Sequence, residues 1–265
     1  NWATLATDDT TCARWVFTYK EKNEAGKIIQ NFITYIKTQF GRTVKVIRLN
    51  NGTEYGGNKL KLFLDGNGIK VEPTVPYTPE QDGVSERSLR TLFEKVRTLA
   101  INLRVPKTLW PELLKGIVYI TNRTTTSALE DRTPFESLNQ TKPQISHIRV
   151  LGCKAYVHIQ KERRVRSEKL VPRAEEGVLV GFEGNSIYRI WVPGRKGGIV
   201  RSSTAVFDEL ASTDQFIDFY EPETLKSTSA LDQALDDADE LGEAQKPYSN
   251  DRETWADQSE PQKPY

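Results

Sequence analysis

The chain is poor in the residues that most often announce a chemistry. It has no methionine, two cysteines and two histidines in 265 residues. Cys12 and Cys153 lie far apart in unlike contexts, which is no disulfide framework and fits a reducing compartment. With only His147 and His158 besides, there are too few ligands for a Cys/His zinc site. No run of 18 apolar residues occurs, so no membrane-spanning helix is expected, and no stretch has the pattern of a signal peptide. Secretion is therefore not expected. A chain that opens on Asn1 and contains no methionine reads as a segment of something longer.

Net charge is also scarce overall, at +1, but it is unevenly divided. Residues 211–265 hold 14 Asp and Glu against four Lys and Arg, a net of −10, so residues 1–210 carry +11. A basic body with an acidic tail points to a polyanion partner, with a tail able to compete for the same surface. A solvated surface followed by a linker fits the charge equally well.

What is present is clear periodicity. Trp2 to Thr7 and Arg14 to Tyr19 read as two strands around the polar turn Asp8-Asp9-Thr10-Thr11. Ile28, Ile29, Phe32, Ile33, Ile36 and Phe40 have helical spacing, and Gly41 ends that helix. Val44 to Leu49 reads as a strand, Asn58 to Leu64 as a short helix broken at Gly66-Asn67-Gly68, and Ile69 to Val75 as a strand. From Glu86 to Leu103 one apolar stripe predicts a helix, and a further helix covers Trp110 to Asn122. That order is an α/β domain with a mixed sheet. After Pro143 come five brief β runs within about sixty residues, the texture of a small barrel. The tail from about Ala211 has little apolar periodicity and reads as disordered linker. Gln245 to Tyr248 and Gln262 to Tyr265 both read QKPY, a docking motif or a chance echo.

Two segments carry the chemistry: Arg48-Leu49-Asn50-Asn51-Gly52-Thr53-Glu54-Tyr55, and Tyr77-Thr78-Pro79-Glu80-Gln81-Asp82-Gly83-Val84-Ser85-Glu86-Arg87. Together they closely resemble the catalytic core of copia-type retrotransposon integrases, whose motifs run R-S-D-N-G-G-E-Y and T-P-x-Q-N-G-V-x-E-R. Glu86 matches the third catalytic carboxylate of that family, and Asn50 stands where its second catalytic Asp should be. The 35 residues from 51 to 85 separate them, the family's spacing. The resemblance continues through Val150 to Val157 and Gly177 to Phe182, which are similar to the SH3-like module following the copia core.

The resemblance implies an RNase H-like integrase core at residues 1–140, an SH3-like barrel at 145–209 and the disordered acidic linker at 210–265. It implies a polynucleotidyl transferase of the Pol polyprotein that inserts element DNA into host DNA. Such enzymes use two Mg²⁺ ions about 3.5–4 Å apart, and hard cations want converging carboxylates. The implied partners are double-stranded DNA, further copies of the chain and a downstream reverse transcriptase segment, in a nuclear or cytoplasmic particle. The helix opening at Glu86 would deliver one metal ligand. Arg90, Arg97 and Arg104 lie within about 40° of it around the helix, a stripe suited to DNA phosphates or simply a solvated face. Pro79 and Gly83 read as a mobile loop closing over DNA, or as an ordinary turn with Asp82 as N-cap.

Two departures stand against activity. Asn50 is a neutral amide, which binds Mg²⁺ far less well than a carboxylate. The family's first catalytic Asp sits on a strand preceding Trp2, the central strand of the implied sheet, whose loss would leave two neighbours unpaired. Reading Asp9 as that carboxylate is an alternative, though it precedes Asn50 by only 41 positions. One of three catalytic carboxylates is therefore evident. Decay of the element accounts for both departures; an engineered Asp-to-Asn change accounts only for position 50.

A second basic cluster, Lys161, Arg163, Arg164, Arg166, Lys169 and Arg173, falls between two barrel strands. So many cations in a short stretch can grip backbone phosphates without reading sequence. A nuclear-import signal and a solvated β-loop are the other readings. The expectations are thus an integrase segment inactive as written, a non-enzymatic nucleic-acid-binding derivative of such an element, or a relic without function.

Overall fold

The computed structural model describes residues 2–49, 55, 57–73, 79–103, 105–159, 172–195 and 197–210, without the side chains of 73 and 79–86. Strands β1 (Trp2–Thr7) and β2 (Arg14–Tyr19) form the expected hairpin, antiparallel with Trp2 opposite Tyr19. Its polar turn is held by Asp8, whose carboxylate accepts from the Thr11 amide at 3.0 Å and the Thr11 hydroxyl at 2.5 Å.

Helix α1 (Ala25–Phe40) follows, burying Ala25, Ile29, Ile33 and Ile36 on one stripe. Gly41 stops it in the left-handed region at φ 62°, its amide donating to the Lys37 carbonyl. Strand β3 (Val46–Leu49), helix α2 (Asn58–Gly66) and strand β4 (Lys70–Pro73) make a β-α-β unit in which β3 and β4 are parallel. The single mixed sheet expected from the element order is not formed by the described strands. Among them β1 pairs only with β2, and β3 only with β4. Helix α1 spans both pairs instead. Phe32 meets Trp15 and Phe17 at 5.1 and 5.3 Å between ring centroids, while Ile29 and Ile33 pack with Leu60, Leu64 and Ile69.

Helix α3 (Pro79–Leu103) differs from expectation at its start. It opens at Pro79 rather than near Glu86, so Asp82 and Gly83 lie inside it, in neither a turn nor a closing loop. Pro79 is preset for a first helical turn, and Glu80 and Asp82 favour the positive end of the dipole. Glu86 is then in the third turn, not at the helix opening. Helix α4 (Trp110–Thr121) also carries a proline in its first turn. Helix α5 (Pro134–Asn139) was not anticipated, although Thr133 caps it by accepting from the Glu136 amide at 3.0 Å.

The later strands are β5 (Lys154–His158), β6 (Ala174–Glu183), β7 (Ile187–Trp191), β8 (Ile199–Ser202) and β9 (Ala205–Asp208). They form one antiparallel sheet in the order β8-β7-β6-β5-β9. One hydrophobic core runs from Leu92, Phe93 and Val96 of α3 through Leu113, Leu114 and Ile117 of α4 into Val178, Leu179, Val180 and Ile190. Two glycines permit the close approach. A Cβ on Gly116 would sit 2.8 Å from the Val180 carbonyl, and one on Gly152, at φ 91°, 2.4 Å from a methyl of Leu103. Both cysteines are free, and burial pushes the Cys153 thiol up to about 12. Among the described residues no helix is long and apolar enough to cross a membrane.

Candidate nucleic-acid interface

Helix α3 sorts its residues cleanly. Leu92, Phe93, Val96 and Leu103 are buried, while Arg87, Arg90, Glu94 and Lys95 are exposed. Arg90 donates through Nε to Glu94 at 3.2 Å, one turn on. Both groups are exposed, so solvent screens that pair and a phosphate can compete for the guanidinium. Arg97 is half-buried on the same side of the helix. The Glu86 side chain and Arg104 lie outside what is described.

The structure adds a cation that sequence reading passed over. Arg14 of β2 reaches α3, its terminal nitrogen donating to Ser88 Oγ at 3.2 Å. Its backbone is pinned from the far side of the chain: Asn122, just after α4, accepts from the Arg14 amide at 2.9 Å and donates to its carbonyl at 2.7 Å. The Arg14 Nε is buried and has no hydrogen-bond partner among the described residues. The available signal is a charged residue opening a strand rich in large apolar side chains.

The first motif is described only at its two ends. Arg48, at the end of β3, lies 3.8 Å from Asp9 and 3.5 Å from Glu72. Lys70 donates to Glu72 at 3.0 Å, and this contact, with Arg48 behind it, holds the Glu72 carboxyl below its ordinary value. At the other end the Tyr55 hydroxyl is 3.3 Å from Thr4 Oγ1, which is 2.8 Å from the Tyr19 hydroxyl. Both ends of the motif thus meet the hairpin of β1 and β2. Asn50 and Glu54 themselves lie outside the described residues.

Asp9 is 82 % exposed at its side chain, with Arg48 as its charged neighbour. Among the described residues no three His, Cys, Asp or Glu side chains are grouped to hold a metal ion. The chemistry of the two motifs also fits Mg²⁺ badly, since the matching positions offer one carboxylate, Glu86, and one neutral amide, Asn50.

Lys161, Arg163, Arg164, Arg166 and Lys169 fall between β5 and β6, outside the described residues. The ends of that connection are joined by the Ile159 amide donating to the Arg173 carbonyl at 2.9 Å, and Arg173 is exposed there. The acidic residues from 211 onward are likewise outside the described part.

The SH3-like portion is tied to the helices by charge as well as packing. Glu112 of α4 accepts from Arg189 Nε of β7 at 2.5 Å. Glu183 lies 3.6 Å from Arg189 and accepts from Arg201 at 2.5 and 2.7 Å.

Comparison with known proteins matches residues 153–220 to the retroviral polymerase SH3-like domain. Over 204 residues the chain is 32 % identical to the retrovirus-related Pol polyprotein from transposon TNT 1-94 of Nicotiana tabacum, covering 76 % of this chain and 15 % of that protein. It is 29 % identical over 175 residues to the corresponding polyprotein from transposon RE1 of Arabidopsis thaliana, covering 66 % of this chain and 12 % of that one. The chain thus spans only about a seventh of the length of these relatives. Among solved structures, the catalytic core domain of BIV integrase overlaps 52 % of this chain and 85 % of its own, at 17 % identity and a TM-score of 0.41.

Proposed function

The chain is an integrase-derived relative of retrotransposon Pol polyproteins, and on that premise we propose that it binds double-stranded DNA without catalysing strand transfer. Ancestrally such a segment inserts element DNA into host DNA, as one of several copies working together beside a reverse transcriptase segment. The observation that carries the reading is Asn50, 35 residues ahead of Glu86, where the resembling motif has Asp. An amide there removes an anionic ligand that two closely spaced Mg²⁺ ions would need.

The DNA-binding half of the proposal rests on cations. Arg14, Arg87 and Arg90 sit at or near the first half of α3, and Arg97 lies further along it. Lys161, Arg163, Arg164 and Arg166 add a second group between β5 and β6. Guanidinium and ammonium groups spaced this way grip phosphates without reading bases. Decay into a relic without function is the competing reading, favoured by the same Asn50.

The test is titration of the whole chain with a DNA duplex by fluorescence anisotropy at several salt concentrations. Binding should weaken steeply as salt rises, with a log–log slope of about −0.9 per phosphate neutralised. Replacing Lys161, Arg163, Arg164 and Arg166 together by Ala should flatten that slope. Absence of salt-sensitive binding would leave the relic reading. Strand transfer in Mg²⁺ should be undetectable as written; recovery on Asn50→Asp in a longer polyprotein segment would identify that position as the lesion.

A further inference from the structure

Where α4 meets the SH3-like sheet, one hydroxyl serves three partners. Tyr119 Oη lies 2.6 Å from His147 Nε2, donates to the Gly184 carbonyl at 2.8 Å and is 3.3 Å from Asn185 Oδ1. His147 belongs to the segment between α5 and β5, while Gly184 and Asn185 form the turn between β6 and β7. The Tyr119 ring stacks on Phe182 at 5.1 Å, and His147 meets both rings edge-on. Tyr188 donates to the His147 carbonyl at 2.9 Å, closing the cluster from β7. Three separate pieces of chain therefore converge on His147.

The proton positions follow from the partners. His147 Nδ1 is buried and has no hydrogen-bond partner among the described residues. If Tyr119 donated to Nε2, the imidazole proton would sit on Nδ1 with nothing to receive it. With Tyr119 donating to Gly184, its oxygen accepts from Nε2–H, and Nδ1 remains a bare lone pair, the cheaper orphan. Protonation of Nδ1 would place a cationic donor without an acceptor in this site. The charged groups acting there are both positive. Arg123, at the end of α4, lies 3.5 Å over the Tyr119 ring, and Arg149 is two residues along from His147. The titratable groups facing it from α4 and β7 are Tyr119 and Tyr188, and the β6–β7 turn, Gly184 to Ser186, has no titratable side chain.

We propose that the Tyr119–His147–Gly184 cluster is an acid-sensitive latch: it holds the β6–β7 turn of the SH3-like portion against α4 while His147 is neutral, and opens when protonation puts a cationic Nδ1–H without an acceptor inside it. Desolvation, followed by the repulsion of Arg123 and Arg149, lowers the affinity of His147 for a proton, which agrees with that geometry. A histidine easier to protonate when released contributes stability that is complete above its ordinary value near 6.5. That contribution is lost progressively as pH falls below it. The latch is independent of DNA binding and concerns the joint between the two parts of the chain.

The experiment follows the His147 ring by NMR and amide exchange in residues 183–188 of the whole chain from pH 7.5 to 5. His147 should titrate below about 6.5, and protection of the turn should fall as it does so, about tenfold for each unit of that depression. His147→Gln, neutral at every pH and able to donate, should make the protection independent of pH. Tyr119→Phe should lower protection at neutral pH and uncouple it from the histidine. Protection that stays flat across the range, or that falls equally in the Gln variant, overturns the proposal.

Discussion

The β3–β4 pair and the five-stranded sheet bury their strands in different ways. Six consecutive residues of β6, Gly177 to Phe182, are buried. In β3 and β4, Val46 and Val71 remain 47 % and 38 % exposed. All are apolar residues in regular strands. The difference is the number of layers. β6 is the middle strand of five, with α4 laid against it closely enough for Gly116 to meet the Val180 backbone. β3 and β4 stand as a pair with α1 and α2 packed on one side, where Ile47 and Leu49 join the smaller core. Burial follows what covers a strand, and apolar content only makes the covering favourable.

The comparison can be broken most strongly at Leu179, fully buried at the centre of the larger core. Leu179→Ala should cost about 2–5 kcal/mol in urea denaturation. Because one core joins α3, α4 and the sheet, Trp191 fluorescence and helical circular dichroism should shift together. Separate transitions would show that helices and sheet unfold independently.

Gly116→Ala sharpens the comparison through its sign. In an exposed helix that change stabilises by up to about 1 kcal/mol. Here the new Cβ lands 2.8 Å from a backbone oxygen, so a loss of about 1–3 kcal/mol is expected from the same denaturation curve. A gain would mean that α4 and β6 part easily.

The smallest effect should come from β3. Val46→Thr exchanges one β-branched residue for another on an exposed face, and the thermal midpoint should reflect less than about 0.5 kcal/mol. A larger loss would reveal a layer covering that face.

Local features were legible where they depend on neighbours in sequence. The stripe of Ile29, Ile33 and Ile36 and the stop at Gly41 define α1 by spacing alone, and β1 and β2 occupy the residues that their patterns mark. The start of α3 is not legible in the same way, because Gly83 looks like a breaker, whereas Pro79 and the acidic residues after it favour helix from that point. Helix α5 carries a local signal in the Thr133 cap and Glu136, but only six residues follow it, too few to show a periodic stripe. At the candidate interface, helical phase places Arg90 and Arg97 on one side of α3, while Arg104 and the Glu86 side chain lie outside the described residues. Arg14 was not legible in this way, since Asn122, 108 positions away, holds it against Ser88.

By itself the sequence determined the order of the elements, the kinship carried by the two motifs, and the neutral amide at position 50, because each is a property of local spacing or residue type. The tertiary structure decided three other things. It paired the described strands of the first part as β1 with β2 and β3 with β4, merged the helices and the SH3-like sheet around one core, and gathered Tyr119, His147 and the β6–β7 turn at one joint. Those outcomes depend on which surfaces find a covering layer. That is settled by contacts between residues far apart in the chain, which local pattern does not encode.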